Sequence, residues 1–354
     1  MIRLTWLQFR AQAVTAATAL AAFAVLLAAT GPHMASLYAA SGIPSCQGAS
    51  CQNLASAFLQ QLPAAGDSWV YLISVASILL APALIGLFWG APLIGHELET
   101  GTSAVAWTQS ITRTRWLAVK LAVGGLAAMA VTEGLSLMQA WWAAPIGRAV
   151  GQGASSGGSI FSMNQFSTLV FATHGITPLG YAAFAFALGV TAGALIRRTV
   201  PAMAVTLAIF AVVQIALPLW IRPHLLPPSH TVIPVTSLES TSGSTQSTGS
   251  SGNSFVLLTQ NLPGQPGAWL LSSGTVNAAG QAVSTAPAIC FTPSAENSSS
   301  GFVGCLAGHG IRETISYQPA SRYWPLQWTE TAIYLALTLA LARYCFRRLN
   351  RRRS

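Results

Sequence analysis

Charge is scarce in this sequence. Only 7% of its 354 residues are Asp, Glu, Lys or Arg and 52% are hydrophobic, whereas an ordinary soluble domain is about a quarter charged. Too few polar side chains are present to cover a soluble core of this size, which places the chain among membrane proteins. Lysine occurs once, at Lys120, preceded by Ala-Val and followed by Leu. A phosphate-binding loop needs G-x-x-x-x-G-K-[ST], so the chain lacks the usual means of hydrolysing ATP and is expected not to be an enzyme. The five cysteines form no C-x-x-C pair and no Cys/His spacing of the zinc-binding kind, so no metal site is expected. The net charge of +9 does not mark a nucleic-acid surface, because the positive residues sit at the ends of apolar segments.

Apolar runs are abundant. Residues 1–10 place Arg3 and Arg10 among Ile2, Leu4, Trp6, Leu7 and Phe9, a segment suited to lying flat at a membrane interface. Spans are expected at about 11–30, 69–94, 116–142, 178–196, 200–221 and 328–346, each long enough to cross a hydrocarbon core of about 30 Å. The first run also fits a cleaved signal peptide, with a basic start followed by small residues. Pro82 and Pro92 interrupt the second span. The pairs Gly86/Gly90 and Gly189/Gly193, each four apart, permit close helix approach, either within one chain or between two. With the amino terminus inside, thirteen of the seventeen basic residues fall on the cytoplasmic side. Arg148, Arg222, Arg312 and Arg322 alone lie outside, and the reverse orientation would oppose the positive-inside rule. The fold expected is an all-α polytopic membrane protein with six transmembrane helices and both termini cytoplasmic. Residues 1–221 hold the interfacial segment and five spans, 222–327 form a long extracellular segment, and 328–354 hold the sixth span and a basic tail suited to anionic lipid.

Within the extracellular segment, 236–254 is a Ser/Thr/Gly linker. Short strand-like stretches follow at 255–259, 268–271, 288–291 and 311–317. Cys46 with Cys51, and Cys290 with Cys305, fall outside, where oxidation permits two disulfides; four free thiols are the alternative. Glu133 lies nine residues before Trp142, about 13 Å along the helix. An ionised carboxylate at that depth is costly unless paired or wetted, which makes it a pathway candidate, or else a protonated packing residue. Gln139, Gln214 and His174 are its candidate polar neighbours.

The polar interval 95–120, GHELETGTSAVAWTQSITRTRWLAVK, holds two of the eight acidic residues and the lone lysine. Glu97 and Glu99, two apart, point about 200° from one another on a helix and cannot serve one site. Gly101 interrupts that helix, and Thr102 is an N-cap for a short helix over 103–110. Such a helix between two spans either docks a soluble partner or is an ordinary polar loop. The run resembles the first cytoplasmic loop of type-two permeases of the ATP-binding-cassette exporter family, with its E-x-E-x-G-T pattern, short coupling helix, basic residues and entering lysine. Here the pattern falls on Glu97, Glu99, Gly101, Thr102, Arg113, Arg115 and Lys120, with Leu98 where family members often carry a basic residue. The stretch 317–337, YQPASRYWPLQWTETAIYLAL, is similar to the approach to the last span in actinobacterial members.

The resemblance implies an exporter permease in a bacterial plasma membrane, a homodimer docking two ATPase subunits. Coupling is then expected through Glu97, Glu99, Gly101, Thr102, Trp107, Gln109, Arg113 and Arg115, with ATP and magnesium held by the partner and no cofactor held by this chain. Composition names no substrate. A rival reading is a non-transporting sensor or immunity protein with a ligand-binding lobe. A membrane hydrolase is the third, because 153–157, GASSG, matches G-x-S-x-G, with His174 and Glu133 as conceivable partners; but a nucleophile elbow needs a strand-to-helix turn, and this is a Gly/Ser loop.

Overall fold

The computed structural model describes residues 2–47, 50–99, 113–153, 160–239, 244–246, 256–258, 262, 265–283, 290 and 299–351. Helix α1 runs Ile2–Ala40 and is followed by α2, Ser50–Gln61. Helix α3, Asp67–Ile85, passes through one π turn, Gly86–Gly90, into α4, Ala91–Glu99. Then come α5 (Arg113–Trp142), α6 (Ala144–Gly151), α7 (Thr168–Thr173), α8 (Thr177–Ile196) and α9 (Thr199–Ala216), whose end widens into a second π turn, Leu217–Ile221.

Among the described residues, five stretches are long and apolar enough to cross a membrane: Arg10–Ala40, Asp67–His96, Thr114–Trp142, Thr177–Ile196 and Thr199–His224. A sixth long helix, Tyr323–Arg351, is less apolar, with Gln327, Thr329, Glu330 and Thr331 in its first third. The sequence predicts an end to the first span at residue 30, and the helix instead continues through Gly31 and Pro32 to Ala40. Pro32 removes its own N–H donor, but the segment is held by packing: a Cβ on Gly31 would stand 2.8 Å from the Trp141 ring. Beside it, Trp142 Nε1 donates to Thr30 Oγ1 at 2.9 Å. Residues 2–10 belong to the same unbroken helix.

The bundle is organised around α8. Sixteen of its twenty residues are buried, as expected for an axial helix that is apolar all round. Against it lies the α3–α4 helix. A Cβ on Gly86 would stand 2.7 Å from Ala185 O, and one on Gly90 would stand 2.6 Å from Phe186 O. Conversely, Gly189 abuts Gly86 O and Gly193 abuts Ala91 O. The two glycine pairs therefore face one another within a single chain, bringing the backbones into direct contact. The π turn lies between Pro82 and Pro92, whose missing N–H groups interrupt the regular bonding ladder on both sides.

The described residues between 225 and 322 form a lobe at the end of the bundle where α5 finishes and α8 begins. Its sheet has the order β1 (Ser229–Pro234), β5 (Arg312–Gln318), β4 (Trp269–Val276), all antiparallel. β2 (Ser244–Gln246) and β3 (Val256–Leu258) pair antiparallel in a separate two-stranded sheet, and α10, Thr236–Glu239, follows β1. Helix α11, Ser299–Gly308, packs Val303 and Leu306 with Val235, Cys290 and Ile311. The strands β3, β4 and β5 coincide with three of the four strand-like stretches, whereas of 288–291 only Cys290 is described. Glu313 is buried in the sheet and accepts from Thr275 Oγ1 at 3.2 Å; burial raises its pKa above the ordinary 4.5. Helix α12, Tyr323–Arg351, leaves the lobe and returns along α8. Cys46–Cys51 and Cys290–Cys305 are disulfides, with Cα separations of 5.4 and 5.6 Å, and Cys345 is free and buried. The linker expected over 236–254 carries α10 and β2, and the rest of it lies outside the described residues.

Candidate functional site

At the end of the bundle away from the lobe, α4 reaches the turn between α8 and α9. Arg197 closes α8 in a left-handed conformation, φ 58°, and α9 begins at Thr199. The N-terminus of a helix leaves backbone N–H groups unpaired and carries partial positive charge. Glu99 supplies the complement: its Oε2 accepts from Thr199 N at 3.2 Å and from Thr199 Oγ1 at 2.8 Å. These bonds, with smaller contributions from His96 and Arg198, hold the exposed carboxyl below its ordinary 4.5. One turn earlier Gly95 stands against Gly193 and Thr199, with nothing larger than backbone between them. Gly86, Gly90, Gly95 and Glu99 thus fasten one face of the α3–α4 helix to α8 and the start of α9.

The other residues of the expected coupling segment are placed less completely. Glu97 lies on α4, Arg113 is the first residue of α5, and Arg115 is exposed two residues on. Lys120 is buried, its Nζ 4.5 Å above the Trp116 ring. Gly101, Thr102, Trp107 and Gln109, with the short helix expected over 103–110, lie outside the described residues. So does most of the G-x-S-x-G match, of which only Gly153 is described.

At the lobe end a buried polar network joins three helices. Arg222, just past the second π turn, donates to Glu330 of α12 from Nε at 2.7 Å and from Nη2 at 3.0 Å. Tyr181 of α8 donates to the same carboxylate at 2.7 Å. The guanidinium lies 4.1 Å over the Phe171 ring, and Tyr334 donates to Gln214 Oε1 at 3.0 Å. One turn up α12, Gln327 Oε1 accepts from the Ile176 and Thr177 N–H groups that open α8, each at 3.1 Å. Arg222 and Glu330 are essentially without exposed surface. In the sequence Glu330 lies only two residues into the expected sixth span and reads as a boundary charge, so nothing there singled it out.

Glu133 sits on α5 with its Oε2 buried and without a hydrogen-bond partner among the described residues. None of its three candidate neighbours bonds to it among the described residues. Gln214 serves Tyr334, His174 bonds to Val170 O and Thr173, and Gln139 is fully buried with neither amide atom bonded. His309 approaches the Cys290–Cys305 disulfide, but both sulfurs are committed to one another and offer no thiolate to a metal.

The described residues include these two concavities. A groove of about 630 Å³ between α1, α3 and α5 is apolar, and Leu80, Leu84 and Phe88 in its wall are exposed on the outside of the bundle. A cavity of about 380 Å³ lies where the bundle meets the lobe.

A family model described as ABC-2 membrane transporter related matches residues 17–222, more than half of the chain. No curated protein and no solved structure matches it.

Proposed function

Because the chain belongs to the ABC-2 membrane transporter related family, and is therefore a multi-pass membrane protein, we propose that it is the permease subunit of an ATP-binding-cassette exporter. In this reading α12 is the sixth span, both termini are cytoplasmic, and the lobe is extracellular. Two copies of the chain form the pathway, and a separate ATPase subunit docks on the loop that joins α4 to α5. ATP and magnesium bind to that partner.

The observation that carries the coupling assignment is the Glu99 cap on Thr199. The helix end that leads into the loop is thereby fastened to a third span, which a mere connection would not need. With α4 bonded to the start of α9 and packed through glycine on α8, force applied to the loop is delivered to the axial helix as a rigid body, the shear or hinge type of motion that packed helices allow. Glu99 is thus a positioning residue, acting through Thr199. The test is ATP hydrolysis by the ATPase subunit reconstituted with this chain in proteoliposomes. Glu99→Ala should leave the complex assembled and lower hydrolysis stimulated by the permease, and Glu99→Gln, which still accepts a hydrogen bond, should restore part of it. Equal stimulation by wild type and Glu99→Ala would remove the cap from the coupling route.

A further inference from the structure

The cavity at the junction of bundle and lobe has walls from both. Tyr71 and Ile146 come from the helices, Phe161 and Val170 from the connection between α6 and α8, Gly267 from the lobe just before β4, and Tyr323 from the start of α12. Among the described residues, no Asp, Glu, Lys or Arg lines it. Its volume of about 380 Å³ falls within the range of roughly 300–1,000 Å³ typical of small-molecule sites. Polar groups in it are few, and one of them has a fixed direction. His174 Nδ1 lies 3.0 Å from Val170 O and 3.1 Å from Thr173 Oγ1. A carbonyl oxygen only accepts, so Nδ1 carries the proton. Burial lowers the pKa of this histidine below its ordinary 6.5 and keeps the ring neutral. Its Nε2, unprotonated and without a hydrogen bond among the described residues, is then an acceptor on the wall. One helical turn before Ala143, another wall residue, the buried Gln139 amide is also unbonded, an expensive condition in an apolar interior.

We propose that this junction binds a small, neutral, largely apolar molecule carrying one hydroxyl or amide N–H, which donates to His174 Nε2 while its body lies against Tyr71, Phe161 and Tyr323. An anion or a cation would enter with no counter-charge and is excluded. Because the walls belong to two parts of the chain, an occupant bridges lobe and bundle. The site stands apart from the coupling loop, and its test needs neither ATP nor transport.

The test is equilibrium binding to the full chain in lipid nanodiscs, with empty nanodiscs subtracted. The probes are 1-naphthol and 1-methoxynaphthalene, which share a ring system and differ in the donor. Saturable binding of naphthol is expected, about tenfold tighter than the methoxy compound, the value of one hydrogen bond near 1.4 kcal/mol. His174→Ala should bring naphthol to the affinity of the methoxy compound. Gly147 lines the cavity and a Cβ there meets nothing within 4 Å, so Gly147→Trp should fill the space, preserve the fold and abolish saturable binding of both. Equal affinity for the two probes in the wild type, or naphthol binding that survives Gly147→Trp, would overturn the proposal. Should His174→Ala fail to fold, those two comparisons decide it alone.

Discussion

Glu330 and Arg222 share two hydrogen bonds beneath the lobe, with no exposed surface on either. Losing one member of such a pair matters more than the net stability the intact pair adds, because the survivor is a buried, uncompensated charge. Arg222→Ala or Glu330→Ala should therefore destabilise the chain by about 3–5 kcal/mol. Tyr181→Phe removes one bond to the carboxylate and should cost about 1.5–3 kcal/mol. Thermal unfolding in detergent ranks the three. A Tyr181→Phe loss as large as that of Arg222→Ala would show that the hydroxyl, and not the ion pair, holds the three helices. Neither charged residue stands out in the sequence, and the reason is positional. Arg222 follows the expected end of the fifth span and Glu330 comes two residues into the sixth, so each reads as a boundary charge. Glu133, in mid-span, was legible as a carboxylate needing a partner; the structure gives its Oε2 none among the described residues. The cysteine pairs were legible from spacing and compartment together.

At the level of elements, the α3–α4 helix and α8 are locked by four glycines whose spacing was visible in the sequence. Which surface each pair faced was not, because a small residue every four positions permits close approach without naming the neighbour. The structure joins the two pairs to one another. Gly189→Leu should force the helices apart, lower the unfolding temperature and reduce the yield of monodisperse protein. Gly147→Ala, with open space around it, should leave both unchanged and serves as the control. A Gly189→Leu protein of wild-type stability would contradict the interlock. The helix ends were less legible than the helices themselves. Gly31-Pro32 reads as a stop, yet packing of Gly31 on Trp141 carries α1 onward to Ala40. The flanking prolines announce an interruption but not the π turn at Gly86–Gly90, which also lies against the backbone of α8. In the lobe, β4 and β5 were readable from apolar and β-branched runs, while β1, Ser229–Pro234, was hidden by its polar and proline composition.

For the whole molecule, the long helices place the lobe at one end and the Glu99 cap at the other. The proposed orientation predicts that a cysteine at Ala279, exposed in the lobe, reacts with a membrane-impermeant maleimide on intact cells. One at Arg347, exposed near the end of α12, should react only after permeabilisation. Reversed labelling would invert the topology and place the loop between α4 and α5 outside, beyond reach of an ATPase. The central claim is that this loop receives such a subunit. Its most direct test is purification of the tagged chain from its native membranes in mild detergent, with identification of the soluble protein that accompanies it, repeated with Ala at Glu97 and Glu99 together. An ATP-binding-cassette subunit recovered with the wild type and weakened in the double variant is the predicted result. Recovery of the chain with no nucleotide-binding protein across several detergents would contradict the permease assignment.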